Sequence, residues 1–191
     1  MGERAGMVGR IITSDACVAE GAAYLAEIEP RFAKAIQQTG ALPLRLKADG
    51  FEALLDAIVS QQISVAAAGS IWKRLKDAQL IAPADVRAAT EDDLRGCGLS
   101  RPKIKYVKSL AENRLDYAAL REASTEQVIA QLIEIKGIGT WTAEIYAMFS
   151  LGRADVFAAG DLALQEAAKV LFELDARPPE KAFNTMAQAW A

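Results

Sequence analysis

From Asp15 to Trp190 apolar residues recur at intervals of three and four, and no segment alternates apolar with polar over the length of a strand. That spacing commits the chain to amphipathic helices. Phe51, Leu54, Leu55, Ile58 and Val59 give the strongest example, and Ala68, Ile71, Trp72 and Leu75 mark the inner face of the next. Cys17, Ala22, Leu25 and Ile28 predict a helix over 15–29, and Phe32, Ala35 and Ile36 a short one ending at Gly40. Start signals stand where the periodicity needs them: Ser14, Ser64, Pro83, Thr90, Ser100 before Pro102, and Ser124 with capping-box spacing to Gln127. Helices over 140–151, 161–174 and 179–190 complete the set, and 43–46 reads as extended or turn. The fold class is all-α, with about ten helices and short connections.

A length of 191 residues suits one ordinary domain or two small lobes. The chain has no histidine, which excludes Ser-His and Cys-His couples, a His general base, and His-ligated zinc or haem. Cys17 and Cys97 alone cannot hold a four-Cys cluster, so no metal site is expected, and they read as free thiols in a reducing compartment. No run reaches the ~18 apolar residues of a membrane span, and Ile11-Ile12 is too short for a signal-peptide core. A net charge of −3 argues against a general nucleic-acid coat without excluding a local basic face.

Chemistry first enters at Leu132-Ile133-Glu134-Ile135-Lys136-Gly137-Ile138-Gly139-Thr140-Trp141-Thr142-Ala143, where one apolar helix runs through Gly-Ile-Gly straight into another. Two glycines permit a tight turn with positive φ and leave backbone N–H groups bare. The following helix aims its positive end at the same place, which makes an anion site suited to one phosphate. Such a contact recognises no sequence and fits a protein that slides along DNA. The plainer reading is an αα-corner with a glycine C-cap. Asp161 follows Gly139 by 22 residues, where the apolar run Val156-Phe157-Ala158-Ala159-Gly160 delivers it to a helix start. An ordinary N-cap explains it, and that position also favours the ionised carboxylate an electrostatic catalyst needs.

Lys136–Glu144, Leu151–Phe157 and Gly160-Asp161 together resemble the helix-hairpin-helix DNA glycosylases, and within them the 3-methyladenine DNA glycosylase II (alkylbase) branch. The resemblance extends to Ile58-Val59-Ser60-Gln61-Gln62-Ile63-Ser64 and Gly98–Lys105, and covers most of the chain from about Leu42. It implies that Asp161 is the catalytic aspartate and that the amides of Gly137, Gly139 and Thr140 hold the DNA backbone. No cofactor is implied beyond a monovalent cation at the hairpin carbonyls when DNA is bound. Trp141 stands where strand-cleaving members carry a Schiff-base lysine, so a monofunctional enzyme is implied, with Trp141 in the base pocket; Tyr146, about 100° round the helix from Ile145, is a second pocket candidate or a packing residue. Gln62 matches the wedge that fills the gap left by a flipped nucleotide, where some relatives use Leu; Gln61 is a polar contact beside it or, more plainly, a helix-end amide satisfying local backbone.

An N-alkylated purine is cationic and already a good leaving group. Trp141, with Ile145 and Met148 at i+4 and i+7, offers it an electron-rich wall, although Ile145 and Met148 read more simply as core. Arg101, Lys103, Lys105 and Lys108 form one basic stretch and Lys73, Arg74 and Lys76 another. Arg101 and Lys103 are the candidate phosphate contacts, against the plainer reading of a solvated face.

The expected architecture has two helical lobes across a DNA-binding cleft, with the hairpin and Asp161 on one rim and Gln62 near the other. Residues 1–41 pack on the C-terminal lobe, 42–124 carry the wedge loop, and 125–191 carry the hairpin and Asp161. Relatives continue past the position of Trp190 with a further helix, so a chain ending at Ala191 looks shortened and should expose apolar surface on the helix after Asp161. The implied function is excision of alkylated purines such as 3-methyladenine from double-stranded DNA, by a monomer in the cytoplasm acting at the bacterial nucleoid. The alternatives are a hairpin protein that binds DNA without catalysis, and a helical interaction protein with no DNA role.

Overall fold

The computed structural model describes residues 8–190; Met1–Met7 of the expected N-terminal segment, and Ala191, lie outside the described residues. Twelve helices occur among them: α1 (Asp15–Ile28), α2 (Pro30–Thr39), α3 (Phe51–Ser60), α4 (Val65–Asp77), α5 (Pro83–Ala88), α6 (Glu91–Gly96), α7 (Arg101–Glu112), α8 (Tyr117–Glu122), α9 (Thr125–Ile133), α10 (Thr140–Phe149), α11 (Leu162–Leu171) and α12 (Glu180–Ala187). The described residues are thus all-α, with one isolated bridge pairing Ile11 with Arg153. Ser14, Ser64, Thr90 and Ser124 cap through their side chains as expected, whereas Ser100 stands at the N-cap of α7 without a side-chain bond. Ser14 accepts from the Cys17 amide, Ser64 from Ala67, and both halves of the capping box join Ser124 to Gln127. The helix α8 has no counterpart in the sequence reading. It is capped by Asp116, whose carboxylate accepts from the Ala118 and Ala119 amides at 3.0 Å.

The chain forms two compact units. The first runs from Lys47 to Leu151 and contains α3–α10. Its core is built from Leu54, Leu55, Ile58, Val59, Leu75, Leu94, Val107, Leu110 and Leu132, all with no exposed surface. The second joins Gly9–Leu46 to the segment from Gly152 onward, bringing α1 and α2 together with α11 and α12. Main-chain bonds stitch its two pieces: Ile12 N donates to Gly152 O at 2.7 Å, and Ala154 N to Arg10 O at 3.0 Å. Gly152 sits at φ +69, and a Cβ there would lie 2.7 Å from the Ile12 carbonyl. These units group the chain differently from the three segments 1–41, 42–124 and 125–191. The hairpin glycines belong with Gln61 and Gln62, and Asp161 belongs with the N-terminal helices.

An aromatic cluster holds the second unit. Phe157 meets Phe183 edge-on at 4.7 Å, Phe172 stacks on Trp190 at 5.3 Å, and Phe32 of α2 packs edge-on against both of the latter. Leu162 and Val170 of α11 are 66% and 72% exposed, which is apolar surface on the helix that begins at Asp161.

Candidate active site

The hairpin uses its two glycines for different reasons. Gly137 sits at φ +96, and a Cβ there would fall 2.3 Å from Cγ of Tyr106 on α7. Both the backbone conformation and the space beneath demand glycine. Gly139 has φ −92, open to any residue, and nothing lies within 4 Å of a Cβ built on it. It is the N-cap of α10 and brings no side-chain acceptor to the first turn. The expectation that both glycines serve a positive-φ turn therefore holds for Gly137 alone, while Gly139 keeps the backbone bare on the exposed side. Between them Ile138 is buried and anchors the turn. Thr140 follows as an exposed first residue of α10.

Gln61 is the C-cap of α3, and its Nε2 donates to the Gly137 carbonyl at 2.9 Å. Its amide does satisfy backbone, but 76 residues away rather than in its own helix. Gln62 is exposed with φ +58, a left-handed conformation that side chains other than glycine rarely adopt. The loop that turns it outward is held by Gln61 on one side and by Lys103 on the other, whose Nζ donates to the Val59 carbonyl at 2.6 Å. Partial burial lowers the Lys103 pKa. Lys103 therefore caps the end of α3. Lys108 likewise donates to the Arg87 and Ala89 carbonyls, and Arg74 Nε to Cys97 O at 2.7 Å. Lys73 pairs with Asp77 at 2.5 Å. Arg101 and Lys105 are the members of the basic stretch that stand exposed.

A cavity of about 810 Å³ lies within the first unit, between α3 and α10. Trp141, 46% exposed, and Ile145, Tyr146 and Phe149 line its α10 side, while Gln62 and Gly139 are also at its boundary. Tyr146 is buried and its hydroxyl accepts from the Gly50 amide at 2.9 Å, so it both lines the cavity and packs. Burial pushes its phenol pKa up. The two cross-links fall at opposite ends of α3, Gly50 to Tyr146 and Gln61 to Gly137, and so fix the spacing of the cavity walls. Trp72, expected on the inner face of α4, is half-buried and lines this cavity. Ile145 also lines it, whereas the plainer sequence reading made it core.

In the second unit Asp161 caps α11: Oδ1 accepts from the Ala163 and Leu164 amides at 2.8 and 3.0 Å. The loop before it is fixed from below. Ala158 and Ala159 are buried, Asp161 N donates to Ala158 O at 2.9 Å, and Gln165 Nε2 donates to Ala159 O at 2.8 Å. No local pattern marks Gln165, because its partner carbonyl lies outside its own helix. No three His, Cys, Asp or Glu side chains converge to hold a metal among the described residues. No helix among them is long and apolar enough to cross a membrane.

Comparison with known proteins places these elements in context. Residues 55–191 match the family "HhH-GPD superfamily base excision DNA repair protein". The chain is 36% identical over 141 residues to DNA-3-methyladenine glycosylase 1 of Schizosaccharomyces pombe, a match covering 69% of this chain but 62% of that protein, less than two thirds of its length. Among solved structures, the DNA-3-methyladenine glycosidase of Bacillus halodurans superposes with a TM-score of 0.80 at 35% identity, covering 90% of this chain and 82% of that one. The Schizosaccharomyces pombe 3-methyladenine DNA glycosylase Mag1, solved in complex with abasic DNA, gives a TM-score of 0.77 at 29% identity, covering 90% and 89%.

Proposed function

The chain belongs to the HhH-GPD superfamily of base excision DNA repair proteins, and from that premise we propose that it is a monofunctional DNA glycosylase that hydrolyses the N-glycosidic bond of alkylated purines such as 3-methyladenine. The observation that carries the reading is the cavity with Trp141 on its wall and both Gly139 and Gln62 at its boundary. A phosphate contact, a wedge and a base wall thereby stand on one compact unit. The likeness to a glycosylase solved on abasic DNA supports the same reading.

The N-glycosidic bond is out of reach inside a stacked duplex, so the nucleotide must be extruded, and an alkylated base with weakened pairing is the cheapest to extrude. The bare backbone at Gly139 and Thr140 holds one phosphate, and Arg101 adds a charge that makes binding salt-dependent. Lys103 acts indirectly here, by holding the end of α3 and with it Gln61 and Gln62. Gln62 fills the space the base leaves. The base lies against Trp141, where a cation over the indole face gains ~0.5–2 kcal/mol. Positive charge then builds on the deoxyribose as the bond breaks. Asp161 stabilises that oxocarbenium-like state and orients the attacking water. An indole cannot form a Schiff base, so Trp141 leaves the strand intact. The carbonyls of the Ile135–Gly139 turn are hard oxygen donors suited to a monovalent cation, with one lone pair of Gly137 O already taken by Gln61. Such a cation would add positive charge beside the phosphate.

The test is base release from methylated duplex DNA, read by chromatography of the freed bases. Free 3-methyladenine or 7-methylguanine, with strands that break only after alkali, is the expected result. Retention on abasic-site DNA with no base released would select a DNA-binding protein without catalysis.

A further inference from the structure

We propose that Asp56 is a specificity-determining residue that gives the cavity its preference for a positively charged base. This deepens the glycosylase reading and rests on it for the identity of the ligand.

The cavity has two unlike walls. On α10 it is aromatic and apolar, through Trp141, Ile145 and Phe149. On α3 it is small and acidic: Glu52, Ala53, Asp56 and Ala57 project from one helical face at i, i+1, i+4 and i+5. The two alanines leave room for a flat ring beside the carboxylates. Three carboxylates, Asp49, Glu52 and Asp56, line the cavity against a single lysine, the exposed Lys47.

These carboxylates are not equivalent. Asp49 is held in a two-point pair by Arg121, with Nε to Oδ2 at 2.6 Å and Nη2 to Oδ1 at 2.9 Å. Glu52 is more than half exposed and lies 3.8 Å from Lys76. Asp56 is half-buried and has no hydrogen bond or ion pair with any described residue. A carboxylate on the cavity wall with no counter-charge beside it leaves a negative potential there that a cation in the cavity meets favourably. It also repels phosphate, so it does not serve the DNA backbone. A neutral purine brings no net charge to the carboxylate, whereas an N-alkylated purine carries a delocalised positive charge. Such a base is attracted from one side by an indole face and from the other by Asp56. Discrimination then comes from penalising the undamaged base as well as from favouring the damaged one.

Two measurements on the full chain test this. The first compares excision of cationic 7-methylguanine with that of neutral hypoxanthine from otherwise identical duplexes. Asp56→Asn should lower kcat/KM for the cation about five- to tenfold, in keeping with one part-screened charge pair, and leave the neutral base unchanged or faster. Glu112→Gln, an exposed charge on α7, should alter neither. The second needs no catalysis: quenching of tryptophan fluorescence by 7-methylguanosine and by guanosine in weakly acidic buffer, where the methylated nucleoside is a cation. Trp141 and Trp72 line the cavity and report its occupancy. Wild type should bind the cation more tightly, and Asp56→Asn should narrow that difference about five- to tenfold. An unchanged cation-to-neutral ratio in Asp56→Asn, in either measurement, overturns the proposal. If wild type releases no base, the glycosylase reading fails, and the fluorescence ratio alone decides the role of Asp56.

Discussion

Asp161 caps a helix and, in the proposed reaction, also carries the chemistry, and the two roles can be separated. Its Oδ1 caps α11 through two amides. Asn caps a helix about as well as Asp. Asp161→Asn should therefore keep its melting temperature within a few degrees of wild type while losing base release, whereas Asp161→Ala should lose both, the cap costing ~1 kcal/mol. Thermal melts beside the release assay check this. Equal loss of stability in the two variants would count against it. Cys17 offers a second test at this scale. It lies in the first turn of α1, where hydrogen bonds from Ser14 and then Thr13 lower its pKa to about 6, while burial pushes the Cys97 thiol up. The thiolate is the reactive form. Alkylation of Cys17 should rise through about pH 6 and level off above it, and Cys97 should react only on unfolding. Mass spectrometry of a pH series separates the two sites.

The hairpin carries the clearest prediction among the elements. Gly137→Ala forces a methyl group into Tyr106 and puts a side chain at φ +96, so it should destabilise the first unit by more than ~1 kcal/mol. Gly139→Ala should leave stability nearly unchanged, because its φ is ordinary and its surroundings are open. It should nevertheless weaken binding to abasic-site DNA, where the backbone must approach a phosphate. Melting should single out Gly137→Ala, and a gel shift at a melting temperature equal to wild type should single out Gly139→Ala. Much of this level was legible in the sequence, because caps and periodicity are local: Ser14, Ser64, Thr90 and Ser124 all cap where their spacing places them. The six-residue α8 escaped notice because so short a helix carries too little periodicity. What sequence order cannot reveal is a bond between distant elements. Gln61 to Gly137, Tyr146 to Gly50 and Lys103 to Val59 span 76, 96 and 44 residues. Each sits at an end of α3, and together they turn two legible helices into the walls of a cavity. The same limit hid the open side of Trp72.

For the whole molecule, a net charge of −3 is compatible with DNA because the hairpin offers backbone dipoles that no charge count includes. In the two basic stretches few cations remain for phosphate, since Lys103, Lys108, Arg74 and Lys73 are bonded within the protein. Arg101→Ala should therefore lower the slope of log affinity against log salt by about 0.9. Lys103→Met should leave the slope alone and reduce thermal stability. The claim on which all else depends is that this chain breaks an N-glycosidic bond with one carboxylate. Wild type and Asp161→Asn, matched for folding and for abasic-site affinity, should be incubated with one methylated duplex and the freed bases counted. Release by wild type with none by Asp161→Asn, and strands intact until alkali, is the predicted result. Equal release by both proteins, or strand scission without alkali, would contradict it.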